Sequence, residues 1–191
     1  MCGRAYVSTS ANALYQGPVQ NIAKSKWEKA TTSFSPRFSS APLDTESTVS
    51  PGQILPVMHC VNSSGTSPEF LLEPMVWGLV PSYVKSPSGN LSEHFKMFNA
   101  RSETMHEKNT FKKLLSTRRC IVFFDGYFEW KGVKGQKQPY YIHDHGGKPL
   151  KAAGLFDINT GNGMISVTII TQSPFDVGLD SIHDRQPVVS S

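Results

Sequence analysis

Cysteine is scarce in this chain of 191 residues: Cys2, Cys60 and Cys120 are the only three. The count is odd and no two stand at C-x-x-C spacing, which argues against a disulfide framework and a structural zinc site. A reducing compartment is the default, so the Asn-x-Ser matches at Asn62 and Asn90 read as accidental. No run is long or apolar enough to span a bilayer. The first residues lack the basic, apolar and small-residue pattern of a secretory signal. The expected location is therefore the nucleus of a eukaryotic cell or the cytoplasm of a bacterial one, with no membrane partner and no secretion. Walker, G-x-S-x-G and H-E-x-x-H motifs are all missing, which removes the common nucleotide, serine-hydrolase and zincin readings. No internal repeat or low-complexity domain is present, and a single domain over residues 2–191 is expected.

The chain does carry a net charge of +4 and a pI near 9.0. That balance fits a nucleic-acid partner without demanding one. More specific is the opening, Met-Cys-Gly-Arg. Aminopeptidases that trim initiator Met accept a small second residue, and removal of Met1 would make Cys2 the terminus. A terminal Cys carries an α-amine and a thiol on adjacent carbons. The amine, with an ordinary pKa of about 7.7–8.0, is partly unprotonated at neutral pH and can attack an aldehyde. The neighbouring thiol can then close the imine to a five-membered thiazolidine, helped by high effective concentration. Set against this, most second residues are disordered and inert.

Along the chain, Arg4–Ser8 reads as a strand, followed by a brief helix ended by Gly17-Pro18. Val19, Ile22, Ala23, Trp27 and Ala30 share one helical face. Residues 31–52 form a Ser/Thr/Pro-rich loop. Gln53–Cys60 and Glu69–Val76 predict a hairpin. His94–Arg101 reads as extended, and Thr104–Ser116 as a helix capped by Ser102 or Thr104. Cys120–Trp130 predicts a buried strand broken at Asp125-Gly126, with further strands at Pro139–His143, Lys151–Ile158 and Met164–Thr171. The total is α+β, with a curved, mainly antiparallel sheet.

Four groups could carry chemistry. Asn99-Ala-Arg101-Ser-Glu103-Thr104 is polar beside Phe95 and Phe98. Glu129 sits between Phe128 and Trp130, either solvated by alternation or buried with a raised pKa that suits a proton shuttle. His183 is the best-placed general acid or base, although a lone loop His is usually solvated. Arg4, Arg101, Lys131 and Arg185 each follow Cys2, Asn99, Glu129 and His183 by two residues. In extended backbone such pairs share a face, placing a cation suited to phosphate beside each reactive group. Trp77-Gly-Leu-Val-Pro81 is either core or an exposed platform for stacking bases. His143-Asp-His145 could chelate a metal, but a turn before Gly146-Gly147 explains it more simply.

Taken in order, Met-Cys-Gly-Arg, Trp77–Pro81, Asn99–Thr104, Arg119-Cys120, Asp125–Trp130, Gln138–Tyr140, Ala153–Leu155, Thr168–Thr171 and Ile182–Arg185 resemble the SOS-response-associated peptidase family of abasic-site processing proteins. The resemblance runs from residue 2 to about 187. It implies a barrel-like β fold with flanking helices that binds single-stranded DNA and crosslinks itself to abasic sites as part of the DNA damage response. By motif, Cys2 is the nucleophile, Asn99 positions the terminus and sugar, Glu129 handles protons and His183 is the acid in ring opening. Arg4, Arg101 and Arg185 match phosphate contacts, and Trp77 matches the element that limits an opposing strand. Peptidase-like self-cleavage exposing Cys2 and a lyase activity come with the family, with no metal or cofactor and a monomer expected.

Two departures stand out. Arg37-Phe38-Ser39-Ser40-Ala41-Pro42 has Ser39 where the family carries Asn, weakening one DNA contact. Family members also continue for several tens of residues beyond the His-Asp-Arg motif, so the sheet is expected to lack its C-terminal strand and expose an edge. The competing readings are a non-covalent reader of single-stranded or modified DNA, a Cys–His protease acting on other proteins, and a truncated inactive form.

Overall fold

The computed structural model describes residues 2–7, 47–62, 69–84, 95–133, 135–161, 163–174 and 178–190. Twelve strands lie within them: β1 Ala5–Val7, β2 Ser47–Val49, β3 Ile54–Asn62, β4 Glu69–Trp77, β5 Asn99–Arg101, β6 Arg119–Phe124, β7 Gly126–Val133, β8 Gln136–His143, β9 Leu150–Ile158, β10 Ile165–Gln172, β11 Gln186–Pro187 and β12 Val189–Ser190. One sheet has the order β2-β1-β7-β8, and all its pairings are antiparallel. In the second, β10, β4, β3, β6 and β9 pair in turn and β9 pairs back to β10, so the hydrogen bonding closes into a ring. The parallel pairings are those of β10 with β4 and β5. Closure leaves these five strands no open edge against each other, a common solution for antiparallel chains.

Sequence accounts for the ring closely. Ile165 to Gln172 is a β-branched run buried on both sides, because one face meets the ring interior and the other meets Leu79, Ala100, Phe111 and Leu155. β9 passes so close to its neighbours that a Cβ on Gly154 would lie 3.0 Å from Cys120 Sγ, the Thr168 carbonyl and Val122 Cγ2. Any larger residue would have to push these neighbours back. The expected break at Asp125-Gly126 is where the chain leaves the ring (β6) and enters the four-stranded sheet (β7). Ala5, Val7 and Tyr127 from that sheet and Val57, Trp77, Val122 and Val167 from the ring form one continuous core.

The expected helices need correction. Those at residues 11–17 and 19–30 fall outside the described residues, as do Ser39 and the loop around it. Over Thr104–Ser116 the structure has turns around a single helical turn, α1, Asn109–Lys112. It has no side-chain cap: Lys108 occupies the cap position, and Ser102 instead donates its backbone N–H to the Thr171 carbonyl at 2.8 Å, extending β5. One uncapped turn without acidic residues at its start cannot propagate, and packing of Phe111 and Leu114 holds it. Likewise only Asn99–Arg101 of the extended stretch is strand. Among the described residues the fold is thus mostly β rather than α+β with flanking helices, and no helix there is long and apolar enough to cross a membrane.

Trp77 settles its two readings: it is 0% exposed, and its indole N–H donates to the Phe98 carbonyl at 3.0 Å. Gly52 N–H donates to its carbonyl and Gly78 N–H to Val167 O, which ties the Trp-Gly-Leu-Val-Pro segment into the ring. The exposed stacking platform is therefore overturned. Trp77→Ala is expected to lower unfolding stability by about 3–5 kcal/mol, measured by urea denaturation.

Candidate active site

Residues distant in sequence meet at the N-terminus. β1 runs antiparallel to β7, with Ala5 opposite Tyr127 and Tyr6 opposite Gly126. Phe128 N–H donates to the Arg4 carbonyl at 2.9 Å, carrying the pairing one step toward Cys2. Strand alternation turns Phe128 and Trp130 outward and Glu129 inward, where it is 3% exposed. From the ring, β5 lies beside β10 with Asn99 opposite Ile169, and Asn99 Nδ2 donates to the Cys2 carbonyl at 2.8 Å. Asn99 Oδ1 is buried without a partner among the described residues. His183 comes last, on a turn in which its N–H and that of Ile182 donate to the Leu179 carbonyl. Its Nε2 stands 3.7 Å from Glu129 Oε2, close enough for charge interaction but too long for a hydrogen bond.

Nδ1 of His183 has two suitors. Arg185 N–H donates to it at 3.0 Å, which requires an unprotonated nitrogen, and Asp184 Oδ1 lies 2.8 Å away, which requires a protonated one. With the backbone amide donating to Nδ1, the ring proton lies on Nε2, on the side of Glu129. Protonation of Nδ1 would hand the bond to Asp184.

Burial dominates the electrostatics. It pushes the Cys2 thiol far above the ordinary range, and the Glu129 charge adds to that, while the terminal ammonium and a backbone bond from Arg4 oppose it. Burial also raises Glu129, against the pull of the terminal ammonium and His183. The thiol therefore stays protonated, and the carboxyl is poised to exchange a proton.

The cations divide. Arg4 is exposed whereas Cys2 is buried, so that pair does not share a face, but Asn99 and Arg101 do lie on one side of β5, away from buried Ala100. Arg185 is engaged: Nη1 and Nη2 donate to Glu103 Oε1 and Oε2 at 2.9 and 3.0 Å, and Nη2 also donates to the Thr171 carbonyl at 2.6 Å. This bidentate bond holds the Glu103 carboxyl down to about 2. Glu103 and Thr171, which sequence reasoning gave no role, thus anchor the turn bearing His183. No spacing signal could have paired residues 82 positions apart. At His143 the ring Nδ1 donates to the Asp144 carbonyl within a turn, and no group of three or more potential metal ligands occurs among the described residues.

The model of one family, described as SOS response associated peptidase (SRAP), matches residues 1–191. The chain belongs to the SRAP family. The SRAP relatives include the abasic site processing protein HMCES of Gallus gallus, 30% identical over 217 residues, which cover 99% of this chain and 62% of that protein. Another is the abasic site processing protein YedK of Escherichia coli K12, 36% identical over 122 residues and covering 63% of this chain and 51% of YedK. The HMCES of Xenopus tropicalis is 34% identical over 158 residues, covering 71% of this chain and 46% of its own. The chain spans about half the length of the curated relatives it matches. A crystal structure of a Bacteroides thetaiotaomicron protein aligns over 100% of this chain and 77% of its own, with a TM-score of 0.70 and 26% identity.

Two carboxyls yield opposite pH predictions. Glu103 is lowered on folding, so its contribution is present above the ordinary 4.5 and is lost as pH falls toward about 2. Glu103→Gln should lower the melting temperature at pH 7, and the difference should vanish in that acid window. Glu129 is raised, so the proton it holds favours the fold below its ordinary range, an advantage lost as pH rises through the folded value. Glu129→Gln should raise the melting temperature at pH 7 and leave it unchanged near pH 4, by scanning calorimetry.

Proposed function

We propose that this chain binds single-stranded DNA and forms a covalent thiazolidine between Cys2, freed of Met1, and the ring-opened aldehyde of an abasic site. The observation that carries the reading is the convergence of Cys2, Asn99, Glu129 and His183, supported by SRAP relatives that are named abasic site processing proteins.

Hydrolysis of the Met1–Cys2 peptide bond releases methionine and leaves the α-amine beside the thiol. The abasic sugar is mostly closed. His183, in its protonated form, gives the Nε2 proton to the ring oxygen as the C1′–O4′ bond breaks, and the C1′ hydroxyl proton passes to solvent, giving the aldehyde. The Cys2 amine adds to C1′, and the carbinolamine loses water to form the imine. Glu129 takes a proton from the attacking amine and returns one to the departing hydroxyl, a role that a raised pKa suits. Sulfur then adds to the imine carbon, and the thiol proton ends on nitrogen. The sum is one aldehyde plus one aminothiol giving one thiazolidine and one water. Because burial keeps the thiol protonated, the amine attacks first and sulfur follows. Asn99, bonded to the Cys2 carbonyl, fixes the direction of the terminal residue, and its Oδ1 can accept from the new amine. Arg4 and Arg101, both exposed, would meet backbone phosphates. A lyase activity follows from the same imine, since its formation acidifies the adjacent C2′ proton.

The test is incubation of purified protein with an abasic single-stranded oligonucleotide, read by intact mass. Protein that has lost Met1 should gain one oligonucleotide less one water and survive heating, and Cys2→Ala should lose the heat-stable product. Glu129→Gln and His183→Ala should slow its formation by about 10²–10⁴-fold. An equal yield of stable adduct from Cys2→Ala without reductant would overturn the reading, as would salt-dependent DNA binding with no covalent product.

A further inference from the structure

At the end of the strand ring away from Asn99 lies a cavity of about 770 Å³. The register fixes its place: β10 begins there, with Ile165 opposite Ile158, and runs to the Cys2 end, where Ile169 pairs with Asn99. The end of β3, the start of β6 and the end of β9 surround it. Nothing in the crosslinking chemistry uses this end.

His59 lines the cavity and is paired with Glu73, which lies outside the lining. His59 and Glu73 face the ring interior, 8% and 3% exposed, with Nε2 of His59 2.6 Å from Glu73 Oε2. Holding such a pair in a core is costly compared with an apolar replacement. With Nε2 donating to that carboxylate, Nδ1 is the accepting side of the ring, which rests 4.7 Å from that of Phe156. Nδ1, left as an acceptor, is buried and has no partner among the described residues. Above it, the Arg118 guanidinium stacks over Phe156 at 5.2 Å, and Arg119 is exposed. Neither arginine has an acidic partner among the described residues, and no acidic side chain lines the cavity. Val61 and Phe70, 44% and 47% exposed, form an apolar rim.

We propose that this cavity is a second binding site, for a small organic anion of nucleotide-like chemistry. The anionic group lies on Arg118 and Arg119, a flat ring packs against Phe70 and the aliphatic wall, and an N–H or O–H of the ring donates to His59 Nδ1. Two guanidinium groups without counter-ions supply the charge, the rim supplies the apolar surface, and the orphaned acceptor supplies the polar anchor. The site stands independently of the Cys2 chemistry.

The test titrates the full chain with deoxyadenosine 5′-monophosphate, and separately with inorganic phosphate and with deoxyadenosine, following binding by calorimetry and the His59 ring by NMR. Saturable binding of the nucleotide should shift the His59 resonances, and each half-molecule should bind about tenfold more weakly or worse. Arg119→Glu, at an exposed position with no partner to lose, should keep its melting temperature and weaken the nucleotide at least about tenfold. Cys2→Ala should bind it as wild type does. The proposal fails if the nucleotide leaves His59 unmoved, if Arg119→Glu binds equally well, or if phosphate alone binds as tightly as the nucleotide.

Discussion

Three residues of pairing hold the chemistry of this chain in place. A terminus ordinarily frays, because nothing repays the entropy of fixing it. Here β1 is clasped between β2 and β7 and sends Ala5 and Val7 into the core. The bonds from Phe128 to Arg4 and from Asn99 to Cys2 continue that grip up to the reactive residue. The two sheets contribute one bond each, so Cys2 is located by the junction of the sheets rather than by either alone. A terminal aminothiol has intrinsic reactivity in any peptide. What the fold adds is orientation, together with a carboxyl and an imidazole that a free peptide lacks.

Two glutamates of this site show how fully environment decides what a carboxyl does. Glu129 is enclosed by core, and its charge is disfavoured despite a neighbouring ammonium and imidazole. Glu103 is held by both arms of Arg185, and its charge is locked on. The first holds its proton more tightly than an ordinary carboxyl, as a shuttle requires. The second does not, and serves as a fixed strut beneath the turn that carries His183. The division of labour follows from burial in one case and a bidentate guanidinium in the other.

Much of this was legible in the sequence, for reasons that particular residues make plain. Alternation and turn residues found β1, β3, β4 and β6 to β10, and Asp125-Gly126 marked the point where the chain changes sheet, but β2 lies in the expected loop 31–52 and the two-residue β11 and β12 carry no alternation to read. Glu129 was legible only as an alternative, since a carboxylate between Phe128 and Trp130 can face either way until a neighbouring strand decides. Trp77 was ambiguous for a similar reason: an aromatic beside Gly, Leu, Val and Pro suits core and platform alike, and its burial depends on β10 passing alongside. The Thr104–Ser116 helix misled because Phe111, Leu114 and Leu115 sit at helical spacing, while the missing cap and first-turn acid limited it to one turn. The link from Glu103 to Arg185 was beyond reach, because it exists only once β5 and the segment after β10 lie side by side.

That link also revises what Arg185 contributes. The family resemblance places it among the phosphate contacts, but its guanidinium already satisfies a carboxylate at 2.9 and 3.0 Å and a carbonyl at 2.6 Å. A phosphate would have to displace Glu103, and the gain of one charge-assisted pair would be offset by the loss of another of the same kind. The exchange would also release the turn that aims His183 at Glu129. Arg4 and Arg101 carry no such conflict, being exposed at the rim of the site. Under the proposed function the arrangement favours a division in which Arg4 and Arg101 would meet the DNA strand and Arg185 keeps the imidazole aligned, so that binding the polymer and preparing the acid do not compete for one side chain.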